Sequence, residues 1–145
     1  MIKRVIAAHL FIASLLIPSL SYAEDLKPSI DAKVYAGQEG ERVTMVYLEP
    51  AETHRVLIKF ENFEGSTWNG KVILHETTSS GDGWQRRQDF KSAEMGRPTI
   101  TVRGEGWHSM EVRPMGVNRD FTVNYDGTQK AKADDIIKEY KKNHK

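Results

Sequence analysis

The feature that most constrains the fold is an alternation of apolar and polar side chains with a period of two residues. In residues 109–113 and 120–125 every second residue is apolar, and the residues between are polar. A β-strand points successive side chains to opposite faces, so this pattern indicates strands with one dry and one wet face. Similar segments lie at 30–35, 43–47, 56–60 and 99–103, and residues 71–76 are strand-like around a continuous apolar run. The alternation therefore predicts an antiparallel sheet.

Turn signals separate these segments at roughly ten-residue spacing, which is typical of sandwiches and related all-β folds. Residues 77–83, rich in threonine, serine and glycine, predict a turn. The polar residues 85–89 fit either a short strand or an exposed loop. We predict a mainly β fold, an antiparallel β-sandwich or jelly roll of about seven or eight strands.

The last segment, residues 128–145, has a different pattern. Its apolar side chains recur at spacings of three and four residues, and lysines collect at its end, where they complement the helix dipole. This predicts a short amphipathic, basic C-terminal helix. We expect it to dock on the domain, and the alternative is a basic peg for a partner or an anionic envelope surface.

The first 23 residues predict a cleavable signal peptide. Lys3 and Arg4 precede an apolar run over residues 5–17, and small residues stand three and one positions before a cut after Ala23. The run is shorter than the roughly 20 residues that span a bilayer, so we expect no transmembrane anchor after cleavage. The predicted location is periplasmic or secreted.

Cleavage at this point defines the remaining organisation and charge. Residues 24–42 form a polar lead-in with a possible edge strand, residues 43–127 the β domain, and residues 128–145 the helix. Loss of two basic and no acidic residues leaves 19 basic and 20 acidic side chains. Such a balance lacks the basic footprint of nucleic-acid binding, so we expect no nucleic-acid partner. With no cysteine, the core needs no disulfide, and thiolate chemistry and Cys-ligated zinc are excluded.

The histidines are the residues that most nearly suggest chemistry. His54, His75 and His108 share strand parity with apolar neighbours, and three such side chains form a metal site only if they converge. Their spacing carries no metal signature, so we predict neither a metal nor a cofactor. Motifs of serine hydrolases are also lacking. A small envelope hydrolase with His108 as base and Glu105 or Glu111 as acid remains an alternative.

Tryptophan and arginine in predicted loops are more informative, because these residues dominate protein–protein hot spots. Trp84, Arg86 and Arg87 follow the glycine-rich turn, and we predict that they bind a partner. Trp68 and Trp107 are candidate stacking platforms for sugar rings. The alternative for both is that they cap the ends of the core.

Four segments in order carry a resemblance to known families: residues 56–60 (Val-Leu-Ile-Lys-Phe), 70–74 (Gly-Lys-Val-Ile-Leu), 104–113 and 120–125 (Asp-Phe-Thr-Val-Asn-Tyr). This succession is similar to small secreted jelly-roll domains of the pre-peptidase C-terminal type and to the periplasmic inhibitor of g-type lysozyme. The resemblance spans residues 43–125 and implies a sandwich closed by the last two segments. It carries over no functional residue.

Taken together, these features favour an exported, non-enzymatic binding protein. We expect an inhibitor or immunity-type protein that acts on a cell-wall hydrolase in the bacterial envelope. A carbohydrate-binding accessory domain that uses exposed tryptophans is the first alternative, and the small hydrolase is the second.

Overall fold

Eight antiparallel strands and one helix form in the part of the chain that the computed structural model describes, residues 26–104 and 108–144. The predicted signal peptide, residues 1–23, lies outside these residues. The strands are β1 (Lys33–Gly37), β2 (Arg42–Tyr47), β3 (Arg55–Glu61), β4 (Val72–Ser80), β5 (Arg87–Lys91), β6 (Ile100–Arg103), β7 (Ser109–Val112) and β8 (Phe121–Tyr125). The helix α1 spans Ala133–Asn143.

The strands close into a barrel in which each strand pairs with the next and β8 pairs with β1. The mainly β fold with a C-terminal helix is thus confirmed, but the predicted sandwich or jelly roll is wrong. The alternation of side chains is the same in a barrel and a sandwich, because both have one inner and one outer face. What differs is the pairing, since Tyr35 of β1 lies opposite Val43 of β2 on one side and Tyr125 of β8 on the other. The possible edge strand of the lead-in is the strand that closes the barrel.

The turn predicted at residues 77–83 is only partly correct, because its first four residues belong to a strand. Thr77 to Ser80 belong to β4 and pair with Arg87 to Phe90 of β5, so their backbone groups gain ladder partners that a turn would not supply. The polar segment after the turn is therefore largely strand rather than loop. The chain reverses between residues 81 and 86. Gly81 has φ of +72° there, and a Cβ atom at this position would collide with the backbone carbonyl oxygen of Gln85.

One end of the barrel is filled by aromatic rings, and we call it the aromatic end. Phe63 meets Phe121 edge to face at 5.2 Å, and Phe60 lies 5.6 Å from Trp68 between ring centroids. All four side chains are buried. Edge-to-face and tilted ring pairs add to the burial of large apolar area, so this end is a solid plug.

Helix α1 covers the outside of the barrel wall. Its Ile136 and Ile137 are buried in a second cluster that includes Leu57 of β3 and Val46 of β2. This cover explains why these strands are apolar on both faces. The predicted amphipathic helix is confirmed, and it docks on the barrel. Among the described residues, no helix has the length and apolar character needed to cross a bilayer.

Candidate functional site

The β4–β5 hairpin extends one end of the barrel beyond its neighbouring strand. The last pair between β3 and β4 joins Arg55 and Glu76, whereas β4 continues its pairing with β5 as far as Ser80. Beyond Thr77, whose amide donates to the carbonyl oxygen of His54 at 2.9 Å, β4 is supported on one side only. We call residues 81–86 the hairpin tip and this end of the barrel the hairpin end.

Trp84 lies at the centre of the hairpin tip with 82% of its surface exposed. It belongs to a single 3₁₀ turn, Gly83–Gln85, that carries no buried residue. The tip is fixed to the barrel because Gly104 donates a backbone hydrogen bond of 2.7 Å to the carbonyl oxygen of Arg86. A large indole is thus presented to solvent on a loop that is held at its base.

The two arginines predicted beside Trp84 have different surroundings. Arg86 is exposed, and no side-chain hydrogen bond or ion pair holds it among the described residues. Arg87 points along the outer wall, where its Nε donates to both carboxylate oxygens of Asp89 at 2.9 Å. Thr101 donates a further hydrogen bond of 2.8 Å to Asp89. Arg86 is therefore the more available cation, whereas Arg87 is oriented by the wall.

Exposed apolar side chains concentrate at the hairpin end. The large exposed hydrophobic residues of the described chain are Ile30, Trp84 and Tyr125. Ile30 precedes β1, Trp84 joins β4 to β5, and Tyr125 ends β8. Because strand direction alternates around the barrel, these positions all fall at the same end.

Neither tryptophan proposed as a glycan platform is seen on the surface of the described structure. Trp68 is 2% exposed and packs between Phe60 and His75, with its ring centroid 5.9 Å from the imidazole. An enclosed indole presents no ring face to a sugar, and Trp68 instead caps the core at the aromatic end. Trp107 lies outside the described residues.

The three histidines do not share one environment. His75 is buried in the core, whereas His54 and His108 are exposed. Because the carbonyl oxygen of Ile73 only accepts, Nδ1 of His75 donates to it at 2.9 Å, and Nε2 accepts from the hydroxyl of Thr99 at 2.7 Å. Burial lowers the pKa of His75 to about 4, so the imidazole is neutral. Within residues 26–104 and 108–144, no three histidine or carboxylate side chains gather as metal ligands.

The acid and base of the hydrolase alternative are not brought together either. Glu111 faces outward on β7, with its carboxylate 3.8 Å from Nε of Arg103. His108 directly precedes β7 and has the opposite parity along the chain, which places the two residues on different sides of the wall. Glu105 lies outside the described residues.

A polar cluster inside the hairpin end was missed by the sequence reasoning. It comprises Lys33, Tyr35, Tyr47, Gln88 and Tyr125, and we call it the tyrosine mouth. The hydroxyls of Tyr35 and Tyr47 and the side-chain oxygen of Gln88 are buried without a hydrogen-bond partner in the described structure. The sequence contains one signal for this cluster: Tyr47 alternates in phase with Val43 and Met45 and so shares their strand face. That face is known to be the interior only once the closed barrel is known.

Comparison with protein-family models, with curated proteins and with solved structures gave no significant match.

Proposed function

We propose that this protein is an exported, non-enzymatic binding protein that uses the hairpin tip to inhibit a cell-wall hydrolase of the bacterial envelope. The observation that carries the proposal is the exposure of Trp84 at the centre of an anchored, projecting tip. Burial of an indole removes more apolar surface from water than burial of almost any other side chain, which is why tryptophan is enriched at the centres of interfaces.

The shape of the hairpin tip supports an inhibitor that enters a concave partner. At the tip β4 extends beyond β3, while β5 stays paired with β6 as far as Arg87 and Arg103, so the tip rises from one side of the barrel rim. Enzymes that cleave polymer chains hold the substrate in an open groove, and a convex tip with a central aromatic side chain complements such a groove. Inhibition is then steric, with Trp84 inserted and Arg86 placed against acidic residues of the groove.

The anchoring of the tip also favours binding. Gly104 holds the base of the tip through Arg86, and the Gly81 turn is tightly packed against Gln85. A loop that already has its bound conformation loses less conformational entropy on association, so more of the contact energy is available for affinity. The export signal predicted at residues 1–23 brings the protein to the compartment of cell-wall hydrolases.

The test is binding of the purified protein to a panel of lysozyme-type hydrolases, measured by calorimetry and by residual hydrolase activity. We expect one hydrolase to be inhibited, and we expect Trp84→Ala to weaken that complex by at least about 2 kcal/mol, or roughly thirtyfold in Kd. Arg86→Ala is expected to slow association more than it speeds dissociation, with the effect declining at high salt.

The matched control is Lys71→Ala, which removes an exposed cation from the loop between β3 and β4 at the opposite end of the barrel. We expect this variant to inhibit as the wild type does. Unchanged binding by the Trp84→Ala, Arg86→Ala double variant would refute the hairpin tip as the site. If peptidoglycan fragments quench tryptophan fluorescence in the wild type but not in Trp84→Phe, the carbohydrate-binding alternative replaces the inhibitor.

A further inference from the structure

The loop between β3 and β4 contains the one asparagine of the chain that precedes a glycine. Asn69 is followed by Gly70. A large side chain follows each of the other asparagines, which are Asn62, Asn118, Asn124 and Asn143. Asparagine is a chemically labile residue, and a glycine after it has no Cβ atom to hinder the approach of its amide nitrogen to the side chain. Asn69 is therefore the most reactive asparagine of the unfolded chain.

The reaction open to this pair is intramolecular deamidation. The backbone nitrogen of Gly70 attacks Cγ of Asn69 and a new N–C bond forms. The carboxamide nitrogen leaves as ammonia and carries away the proton of the attacking amide. Water then opens the resulting succinimide ring at either of its carbonyl groups. The product is aspartate, or isoaspartate, in which the main chain runs through the former side chain and is one carbon longer.

In the folded protein the side-chain amide of Asn69 is held at both ends by one residue. Its Oδ1 accepts a hydrogen bond of 2.8 Å from the backbone N–H of Phe63, and its Nδ2 donates one of 2.6 Å to the carbonyl oxygen of the same residue. The two bonds define the orientation of the amide, because a backbone N–H only donates and a carbonyl oxygen only accepts. The carbon that would be attacked is thus fixed in place.

The attacking nitrogen is engaged as well. Gly70 donates its backbone N–H to the carbonyl oxygen of Phe60 at 2.7 Å, and Lys71 donates to the carbonyl oxygen of Trp68 at 2.9 Å. Cyclisation requires the peptide unit of Gly70 to turn towards the side chain, which breaks its bond to Phe60. The reaction therefore depends on local opening of the loop, and the folded state protects Asn69.

The clamp on Phe63 cannot form again once the amide has become an acid. A carboxylate accepts hydrogen bonds and donates none, so an oxygen would replace Nδ2 opposite the Phe63 carbonyl oxygen. In isoaspartate the longer main chain also displaces Gly70 from its partner. Phe63 is fully buried and packs against Phe121, so the loss of the clamp affects the aromatic end directly.

We propose that Asn69 is a deamidation site that the fold protects, and that its reaction in unfolded molecules weakens the aromatic end when they refold. The reaction needs water and no other co-reactant. The site lies at the opposite end of the barrel from the hairpin tip and is independent of binding there. It converts the time that a molecule spends unfolded into an irreversible chemical change.

The experiment compares deamidation in the native protein with deamidation in the protein unfolded by guanidinium chloride, at pH 8 and one temperature. Cleavage by trypsin after Lys59 and Lys71 gives one peptide, residues 60–71, that contains both Asn69 and Asn62. Fragmentation in the mass spectrometer assigns the modified position. We expect Asn69 to react faster than Asn62, the internal control, in the unfolded chain. In the native protein Asn69 should react at least about tenfold more slowly than in the unfolded one.

A second measurement tests the consequence for the fold. Asn69→Asp carries the product side chain, and we expect its Tm at pH 8 to fall by at least about 3 °C. The matched control is Asn118→Asp, which makes the same change at an exposed side chain between β7 and β8, at the same end of the barrel, and should shift the Tm by less than about 1 °C.

The rate comparison uses the wild type and does not depend on the folding of Asn69→Asp; failure of that variant to fold agrees with the proposal in the same way as a lowered Tm. Three results would each overturn it: equal rates for Asn69 in the native and unfolded protein, equal rates for Asn69 and Asn62 in the unfolded chain, or a wild-type Tm for Asn69→Asp.

Discussion

The buried imidazole of His75 makes the stability of this protein dependent on pH in a defined window. Burial lowers the pKa of His75 from 6.5 to about 4, and the hydrogen bond that Nδ1 donates to Ile73 offsets only part of that effect. The unfolded chain therefore takes up a proton near pH 6.5, whereas the folded protein resists protonation until about pH 4. Stability from this residue is complete above pH 6.5 and is lost as the pH falls towards 4.

The magnitude follows from the difference between the two pKa values. Each pKa unit corresponds to about 1.4 kcal/mol, so His75 lowers the free energy of unfolding by about 2 kcal/mol at pH 5 relative to pH 8, and by about 3 kcal/mol when the loss is complete. Urea denaturation at both pH values, monitored by circular dichroism, measures the change. Carboxylates also contribute to the change in stability over this pH range. Their contribution is removed by subtracting the change measured in a variant that lacks His75.

His75→Gln is the variant to compare, because its amide offers a donor and an acceptor but takes up no proton. We expect it to be less stable than the wild type at pH 8 and to lose about 2 kcal/mol less between pH 8 and pH 5. His108→Gln, which replaces an exposed histidine, should change the free energy of unfolding at pH 8 by less than about 0.5 kcal/mol. Equal losses of stability in His75→Gln and wild type, or NMR titration of the His75 ring above pH 6 in the folded protein, would contradict a lowered pKa of His75.

Three further substitutions test the packing by urea denaturation. Ile137→Ala removes a buried side chain beneath helix α1 and should cost about 2–5 kcal/mol; a loss below 1 kcal/mol would mean that the helix is not docked. Gly81→Ala places a Cβ atom against the carbonyl of Gln85 at φ of +72° and should cost more than about 1 kcal/mol, whereas a neutral effect would contradict the tip geometry. Glu139→Gln breaks a 3.0 Å ion pair with Lys59 and should cost less than about 1 kcal/mol, with a smaller effect at high salt.

Local pattern predicted most of the elements, because strand and helix periodicity depend on neighbouring residues alone. The alternation over residues 109–113 and 120–125 gave β7 and β8, and the three- and four-residue spacings around Ile136 gave the helix. Thr77 to Ser80 were misread because small hydroxyl residues suit both turns and strands. Their conformation is decided by the ladder to β5, which is a non-local interaction.

Barrel closure and the tyrosine mouth could not be predicted from the sequence pattern, because both also depend on non-local strand pairing. Closure depends on whether the outer edges of the first and last strands meet, and the alternation of side chains contains no information about that pairing. Lys33 and Gln88 look like solvent-facing residues until the register turns them inward. The exposure of Trp84 was easier to predict, because its glycine and polar neighbours offer nothing to cover an indole.

The seam between β1 and β8 joins residues that lie far apart along the chain, since Tyr35 pairs with Tyr125 ninety positions later. All other strand pairs of the described barrel join consecutive strands, which are separated by between four and ten residues. Loop-closure entropy penalises the distant pair most, so we expect the seam to be the last pairing made during folding. Until then β1 and β8 are unpaired edges, on which a second molecule can add a strand. The barrel is thus most vulnerable to misassembly in the interval before its two ends meet.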